Sequence, residues 1–162
     1  MALHRAGMAE IQIGGKGDVL QALGLGSCIG LVLVDRFNHI GGMVHVMLPD
    51  SAVSREDVPP AGKFADTGVP ALLQMVQEAG GNRSRLIVKM AGGAEMFAFA
   101  GKDSPTLSIG KRNSEAVAAQ LKLHGLRLEA SDIGGSHGRT LEFDLTTLAC
   151  TVKVVGKQPV AL

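Results

Sequence analysis

The chain contains few cysteines, and this scarcity argues against a fold that depends on disulfides. Only Cys28 and Cys150 occur in 162 residues, whereas 46% of the residues are hydrophobic. A chain of this length buries roughly 70% of the surface that its unfolded form exposes, so it does not need disulfides to hold a core. We therefore expect a single domain over residues 1–162 and a cytoplasmic, reducing location.

Long hydrophobic runs and blocks of one charge are also missing. No segment reaches about 18 consecutive apolar residues, and the N-terminal segment lacks the apolar stretch of a signal peptide. The 16 Lys and Arg residues nearly balance the 15 Asp and Glu residues and are scattered along the chain. These absences argue against direct membrane insertion and against nucleic acid as a partner.

Motifs for phosphate, dinucleotides and metals are not found. No Gly-Lys pair has the spacing of a Walker A loop. Gly24, Gly26 and Gly30 resemble a loose dinucleotide fingerprint, but the residues that follow are too β-branched to open the helix that this motif needs. Four further histidines show no metal-ligand spacing: His4, His39, His124 and His137. We expect neither a metal ion nor a cofactor.

Glycine is plentiful, with 22 residues, and it punctuates short apolar runs. Two helices are predicted. The first is capped by Asp66 or Thr67 and ends before Gly80, and the second begins near Asn113 or Ser114 and stops at Gly125. Strands are predicted for seven segments, at residues 10–13, 29–34, 40–48, 86–90, 126–129, 140–144 and 149–155. Because strands outnumber helices and do not alternate with them, the pattern favours an α+β fold.

The stretch GLGSCIG at residues 24–30 places a cysteine in a glycine-rich turn before an apolar run. Gly24 and Gly26 allow a tight turn. The backbone N–H groups around Ser27 and Cys28 can then face a developing oxyanion. Gly26 and Ser27 are accordingly candidates for oxyanion binding or positioning.

Two apolar runs, which begin at Cys28 and His39, flank a short polar loop and predict a β-hairpin. If Asp35 pairs with Asn38, Cys28 lies directly opposite His45, with their Cβ atoms about 4.5–5.5 Å apart. A neighbouring imidazole can accept the thiol proton and generate the nucleophilic thiolate. The alternative is that both side chains only fill the core, as we expect of Cys150 in its apolar run.

Several motifs in order resemble the CheD family, the chemoreceptor glutamine deamidases of bacterial and archaeal chemotaxis. They are LGLGSCIGLVLVD, GGMVHVMLP, DTGVPALLQMV, KMAGGAEMF, IGKRNSEAV and DIGGSHGRTLEFD, and the resemblance covers the chain from about residue 18 to residue 155. The resemblance implies mixed or antiparallel sheets packed in layers with two principal helices. It also implies a papain-like Cys–His site on the hairpin.

In the chemistry that this resemblance implies, Cys28 attacks the side-chain amide of a receptor glutamine and His45 protonates the departing ammonia. A thioester remains, which water hydrolyses to glutamate. Receptor glutamate methyl esters are hydrolysed by the same acyl chemistry in some members. The implied partners are the methyl-accepting chemoreceptors, through their cytoplasmic helices, and a CheC-type phosphatase.

One position departs from the family pattern. The family has a threonine six residues before the nucleophile, where it helps to orient the histidine, and this chain has Ala22. A backbone carbonyl, Asn38 or another polar group must then orient His45. The departure leaves open a second interpretation, a regulatory protein that binds the CheC phosphatase or the receptor array with little turnover.

Other shared motifs have simpler explanations. Residues 91–95 and 132–139 are either walls of the active-site cleft or turns, with Arg139 and Glu95 serving structural roles. Asn113 is a candidate N-cap of the second helix.

Overall fold

The computed structural model describes residues 1–96 and 108–162. Within this part, the chain forms two helices, α1 (Ala65–Glu78) and α2 (Ile109–Leu123). The strands are β1 (Leu3–Arg5), β2 (Ile11–Gly14), β3 (Val19–Leu25), β4 (Ile29–Asp35), β5 (Ile40–Val46), β6 (Leu86–Gly92), β7 (Ala130–Ile133), β8 (Arg139–Asp144), β9 (Cys150–Lys153) and β10 (Val160–Ala161). Phe97, the last residue of the KMAGGAEMF motif, lies outside the described residues.

The strands form two mixed sheets. The central sheet has the order β2-β5-β4-β6-β7, and the outer sheet has the order β1-β3-β8-β9-β10. One parallel pair occurs in each described sheet, β6–β7 in the central sheet and β1–β3 in the outer one. These layers confirm the predicted α+β fold. No helix in the described part of the chain is long and apolar enough to cross a bilayer.

Strand β4 is buried on both faces and separates two hydrophobic cores. Leu31 and Leu33 face α1 and α2, whereas Val32 and Val34 face the outer sheet. This alternation follows from the two-residue period of a strand. Because both faces are covered, β4 carries no polar side chain from Ile29 to Val34, as is typical of a fully buried strand. Cys28 packs against the core between the two sheets.

Some element boundaries differ from the prediction. Helix α2 begins at Ile109, so Asn113 lies inside the helix and the prediction that it caps the helix is wrong. Strand β3 was not expected, because glycine and alanine interrupt its apolar pattern. The predicted strand at residues 126–129 is also wrong, because Leu126 and Leu128 pack against the helix-side core and the strand begins only at Ala130.

The β4–β5 hairpin forms, but its register differs by two residues from the prediction. Gly30, rather than Cys28, lies directly opposite His45. The cause is His39, which adopts a left-handed conformation (φ 56°) and donates its N–H to Asp35 O, so Asp35 pairs with Ile40 rather than with Asn38. A two-residue shift preserves the face of each side chain. Cys28 and His45 therefore remain on the same side of the central sheet, but the prediction that they lie directly opposite each other is wrong.

The buried carboxylate of Asp35 fixes the start of this loop. Its side chain is fully buried and accepts hydrogen bonds from the backbone N–H groups of Phe37 (2.8 Å), Asn38 (3.0 Å) and Asn82 (2.7 Å). Arg85 Nη2 lies 3.0 Å from Asp35 Oδ2. Burial by itself would raise the pKa of Asp35, but Arg85 and the three N–H donors outweigh it and hold the pKa well below its ordinary value of 3.8.

We predict that Asp35→Ala lowers the free energy of unfolding at neutral pH by about 3–5 kcal/mol, because it removes the buried partner of Arg85 and the acceptor of three backbone N–H groups. Since the folded-state pKa is depressed, the carboxylate stabilises the fold above pH 3.8, and this stabilisation is lost as the pH falls through the folded-state pKa. Urea denaturation across pH measures both effects. Glu129→Gln, in the partly exposed pair with Arg36, is the control and should cost less than about 1 kcal/mol. An equal loss in both variants would contradict this account.

Candidate active site

The turn between β3 and β4, residues 26–28, carries Cys28 and is held through its carbonyl groups. Three bonds do this: Ala94 N–H to Gly26 O (2.9 Å), Asn113 Nδ2 to Ser27 O (2.9 Å) and Gly93 N–H to Cys28 O (3.0 Å). Among the described residues none accepts a hydrogen bond from the N–H of Ser27, whereas the N–H of Cys28 interacts with its own thiol. The turn is thus fixed through its carbonyl groups, and the Ser27 N–H is left without a partner among the described residues.

Segment 91–95 packs directly against this turn. At Gly92 the backbone has φ 121°, and a Cβ there would collide with the carbonyl oxygen of Cys28. Only glycine permits this approach, because it tolerates positive φ and has no Cβ. The AGGAE motif therefore serves to hold the cysteine turn rather than to mark a simple surface turn.

Arg139 organises the neighbouring loop of residues 132–138. Its guanidinium is buried, pairs with the Asp132 carboxylate at 2.5 Å, and also donates to the carbonyls of Gly134 and His137. The loop in turn joins segment 91–95, because Glu95 N–H donates to Gly135 O. This arrangement agrees with the structural role expected for Arg139.

His45 is oriented by a backbone carbonyl. Its Nδ1 lies 3.0 Å from Ala6 O, and because a carbonyl can only accept, Nδ1 carries the proton. The neutral ring then has its lone pair on Nε2, which is buried and has no hydrogen-bond partner among the described residues. Ala22 makes no such bond, and the Asn38 amide donates instead to Gly80 O.

His45 and Cys28 share the space between the two sheets. Val44 and Val46, on either side of His45, face the helices, so His45 faces the outer sheet. Cys28 packs on that same side. No hydrogen bond joins Cys28 Sγ to His45 Nε2 in this structure.

Burial sets the protonation of both groups. It lowers the pKa of His45 below 6.5, against the Ala6 hydrogen bond and the charge of Glu10, which raise it. Burial raises the pKa of the Cys28 thiol above 9.0, against its own backbone N–H, which lowers it. At neutral pH the two groups are therefore a neutral thiol and a neutral imidazole, and the imidazole has a lone pair on Nε2 that can accept a proton.

Asn113, which the sequence predicts to be an N-cap, instead lies inside α2 and contacts the cysteine turn. It is fully buried in α2, and its Nδ2 donates to both Ser27 O and Met47 O at 2.9 Å each. A signal was present in the sequence. Asn113 lies four residues before Val117 and eight before Leu121, so a polar side chain occupies the apolar stripe of the helix.

Comparison with known proteins bears on the whole chain. The family model described as CheD chemotactic sensory transduction matches residues 47–154. A probable chemoreceptor glutamine deamidase CheD of Symbiobacterium thermophilum is 49% identical over 156 residues, covering 96% of this chain and 94% of that protein. This chain belongs to the CheD family. A similarly named protein of Desulforamulus reducens is 42% identical over 153 residues (94% and 90%), and the chemoreceptor glutamine deamidase CheD of Halalkalibacterium halodurans is 40% identical over 151 residues (93% and 93%).

Membership of the CheD family confirms the resemblance drawn from the sequence motifs. The CheD family-model match begins at Met47, after both Cys28 and His45. The match therefore bears on the family and the fold, and the roles of these two residues rest on their geometry.

In this CheD family member the two thiols should differ sharply in reactivity. Cys28 is half-buried, whereas Cys150 is 4% exposed and burial raises its pKa to about 11, against the charge of Lys89. Because the thiolate is the reactive form, iodoacetamide should modify only Cys28 in the folded protein, faster as the pH rises. Peptide mass spectrometry after timed labelling measures this. Native labelling of Cys150 at a comparable rate would contradict it, and unfolding should expose both thiols.

Proposed function

We propose that this chain is a chemoreceptor glutamine deamidase with a papain-like Cys–His mechanism. Cys28 is the nucleophile and His45 is the general base and acid. The single observation that carries the proposal is the state of His45, whose Nδ1 is bound by Ala6 O while Nε2 has a free lone pair on the face that also holds Cys28. The printed names of the relatives supply the substrate class.

In the first half-reaction, His45 Nε2 takes the Cys28 proton as sulfur attacks the side-chain amide carbon of glutamine. The oxygen becomes negatively charged and is stabilised by the N–H groups of Ser27 and Cys28, with Gly26 shaping the turn. The carbon–nitrogen bond then breaks as the imidazolium gives its proton to nitrogen. Ammonia leaves, and a thioester to Cys28 remains.

In the second half-reaction, His45 Nε2 takes a proton from water, and the resulting hydroxide adds to the thioester carbonyl. The carbon–sulfur bond breaks, and Cys28 recovers its proton from the imidazolium. The product is glutamate, and the enzyme is regenerated. A receptor glutamate methyl ester reacts by the same steps with methanol as the leaving group, so we include this esterase activity in the proposal.

The proposed setting follows from the substrate. We place the enzyme in the cytoplasm, where its two cysteines stay reduced and where the cytoplasmic helices of the chemoreceptors are reached. A CheC-type phosphatase is the proposed regulatory partner. The alternative of a binding protein with little turnover rested on Ala22. The Ala6 carbonyl supplies the orienting bond that Ala22 lacks, which favours turnover.

Peptide mass spectrometry of a chemoreceptor cytoplasmic fragment tests the proposal. The fragment is incubated with the wild-type chain and, in parallel, with Cys28→Ala. We expect conversion of specific glutamines to glutamate with the wild type alone. No conversion by the wild type, despite demonstrated binding to the fragment, would overturn the deamidase and favour the regulatory role.

A further inference from the structure

We infer that Asn113 is a positioning residue whose side-chain amide sets the geometry between the cysteine turn and the histidine strand. The inference rests on the proposed roles of Cys28 and His45. Asn113 touches neither side chain through a hydrogen bond, and acts on the backbone that carries each of them.

The two chain segments part at the end of the β4–β5 ladder. The last ladder pair before the cysteine turn is Ile29 with Val46. Beyond it, the N–H groups of Met47 and Leu48 both donate to Lys63 O, at 2.9 and 3.0 Å. These two donors are therefore directed away from the cysteine turn, and strand pairing cannot continue toward Cys28.

This parting leaves two carbonyl groups, Ser27 O and Met47 O, without a strand partner on the facing segment. Asn113 Nδ2 bridges them from α2, using one hydrogen for each oxygen at 2.9 Å. Ser27 immediately precedes Cys28, and Met47 follows His45 by two residues. The buried amide of Asn113 thus joins the segment that carries Cys28 to the segment that carries His45, where the strands no longer pair.

The orientation of this amide is fixed by its partners. Both neighbouring oxygens are acceptors, so the NH₂ end must face them. Oδ1 is then left buried and has no hydrogen-bond partner among the described residues. Buried polar side chains in folded proteins are nearly always satisfied, and exceptions call for an explanation. A positioning role explains why an amide is kept in the apolar stripe of α2.

Loss of the amide frees the peptide group before Cys28 and loosens the turn relative to His45. Misplacement of a reacting group by about 1 Å can cost about 10²-fold in rate. A loosened turn also exposes the thiol, so its pKa should fall toward its ordinary value of 9.0. Deamidation and alkylation should therefore respond in opposite directions.

The test uses Asn113→Leu and Asn113→Ala, which remove the donors without adding charge. Val117→Ala is the control, because Val117 is fully buried one turn later on the same helix and contacts the helix-side core. We expect kcat on a receptor fragment to fall about 10²-fold in both Asn113 variants with little change in KM. We also expect Cys28 to be alkylated faster by iodoacetamide, with a lower midpoint pH, whereas the control keeps the wild-type midpoint.

The alkylation profile needs no receptor, so it separates this inference from the proposed function. If the alkylation profile shifts in the Asn113 variants but the wild type does not deamidate the receptor fragment, the proposed deamidase function is refuted. The positioning of the Cys28 turn by Asn113 is then still supported. An unshifted profile and wild-type kcat in either folded variant would overturn the inference. If neither variant folds, the amide serves the fold itself, and the inference is overturned as well.

Discussion

Cys28→Ala should lower the rate of glutamine deamidation by about 10⁴-fold or more. Removal of the nucleophile from a hydrolase that forms a covalent intermediate abolishes the acyl-enzyme route and leaves only binding and oxyanion stabilisation. The measurement is the initial rate of glutamate formation in a receptor fragment, with substrate above KM. Cys28 is only half-buried, so the variant should keep the fold.

Cys150→Ala is the matched control for this result. Cys150 packs in the core between the sheets, where it is 4% exposed. Its loss should reduce stability modestly and leave the rate unchanged below the unfolding temperature. If Cys28→Ala turns over near the wild-type rate, Cys28 is not the nucleophile. If folded Cys150→Ala is inactive, the assay responds to core packing rather than to loss of the nucleophile.

His45→Gln should lower kcat by about 10²–10⁴-fold, because glutamine fills similar space but cannot transfer protons at neutral pH. The wild-type enzyme should lose activity on the acid side with a midpoint below pH 6.5, since burial lowers the pKa of His45 and keeps Nε2 unprotonated into that range. The pH profile of kcat/KM measures this limb, because it reports the ionisation of the free enzyme. The residual activity of His45→Gln should not show this loss of activity at acid pH.

The same pKa predicts a matching effect on stability. Between the folded-state pKa and 6.5, the unfolded chain binds more protons at His45 than the folded chain does, so wild-type stability falls as the pH drops through this window. Above pH 6.5 both states are neutral and this dependence vanishes. His45→Gln removes this contribution. An identical acid dependence of unfolding in both proteins would show that His45 is not buried in its neutral form.

Much of the site could be predicted because strand periodicity is readable in the sequence. Apolar runs on both sides of a short polar loop indicated the hairpin, and the alternation of side chains along its strands placed Cys28 and His45 on one face. The register could not be read, since it depends on the left-handed conformation of His39, a residue type that does not require it. A two-residue error changed the neighbour of His45 to Gly30 without moving any side chain to the other face.

The missing parts of the site come from contacts distant in sequence. The Ala6 carbonyl that orients His45 has no side-chain signature, and it lies near His45 only because β2 pairs with β5 and brings the N-terminal segment alongside. Asn113 resembled a helix cap because α2 begins at Ile109, earlier than its apolar spacing indicated. The motifs identified the family, while these orienting contacts emerged only from the packing of the layers.

The central claim is that Cys28 forms a thioester with a receptor glutamine, and interception by hydroxylamine tests it most directly. A receptor fragment is incubated with the enzyme in the presence of hydroxylamine, and the modified peptides are identified by mass spectrometry. The account predicts glutamyl hydroxamate beside glutamate at the same positions, with both products absent for Cys28→Ala. Glutamate alone, formed at an undiminished rate by the wild type, would mean that water attacks the amide directly and would contradict the account.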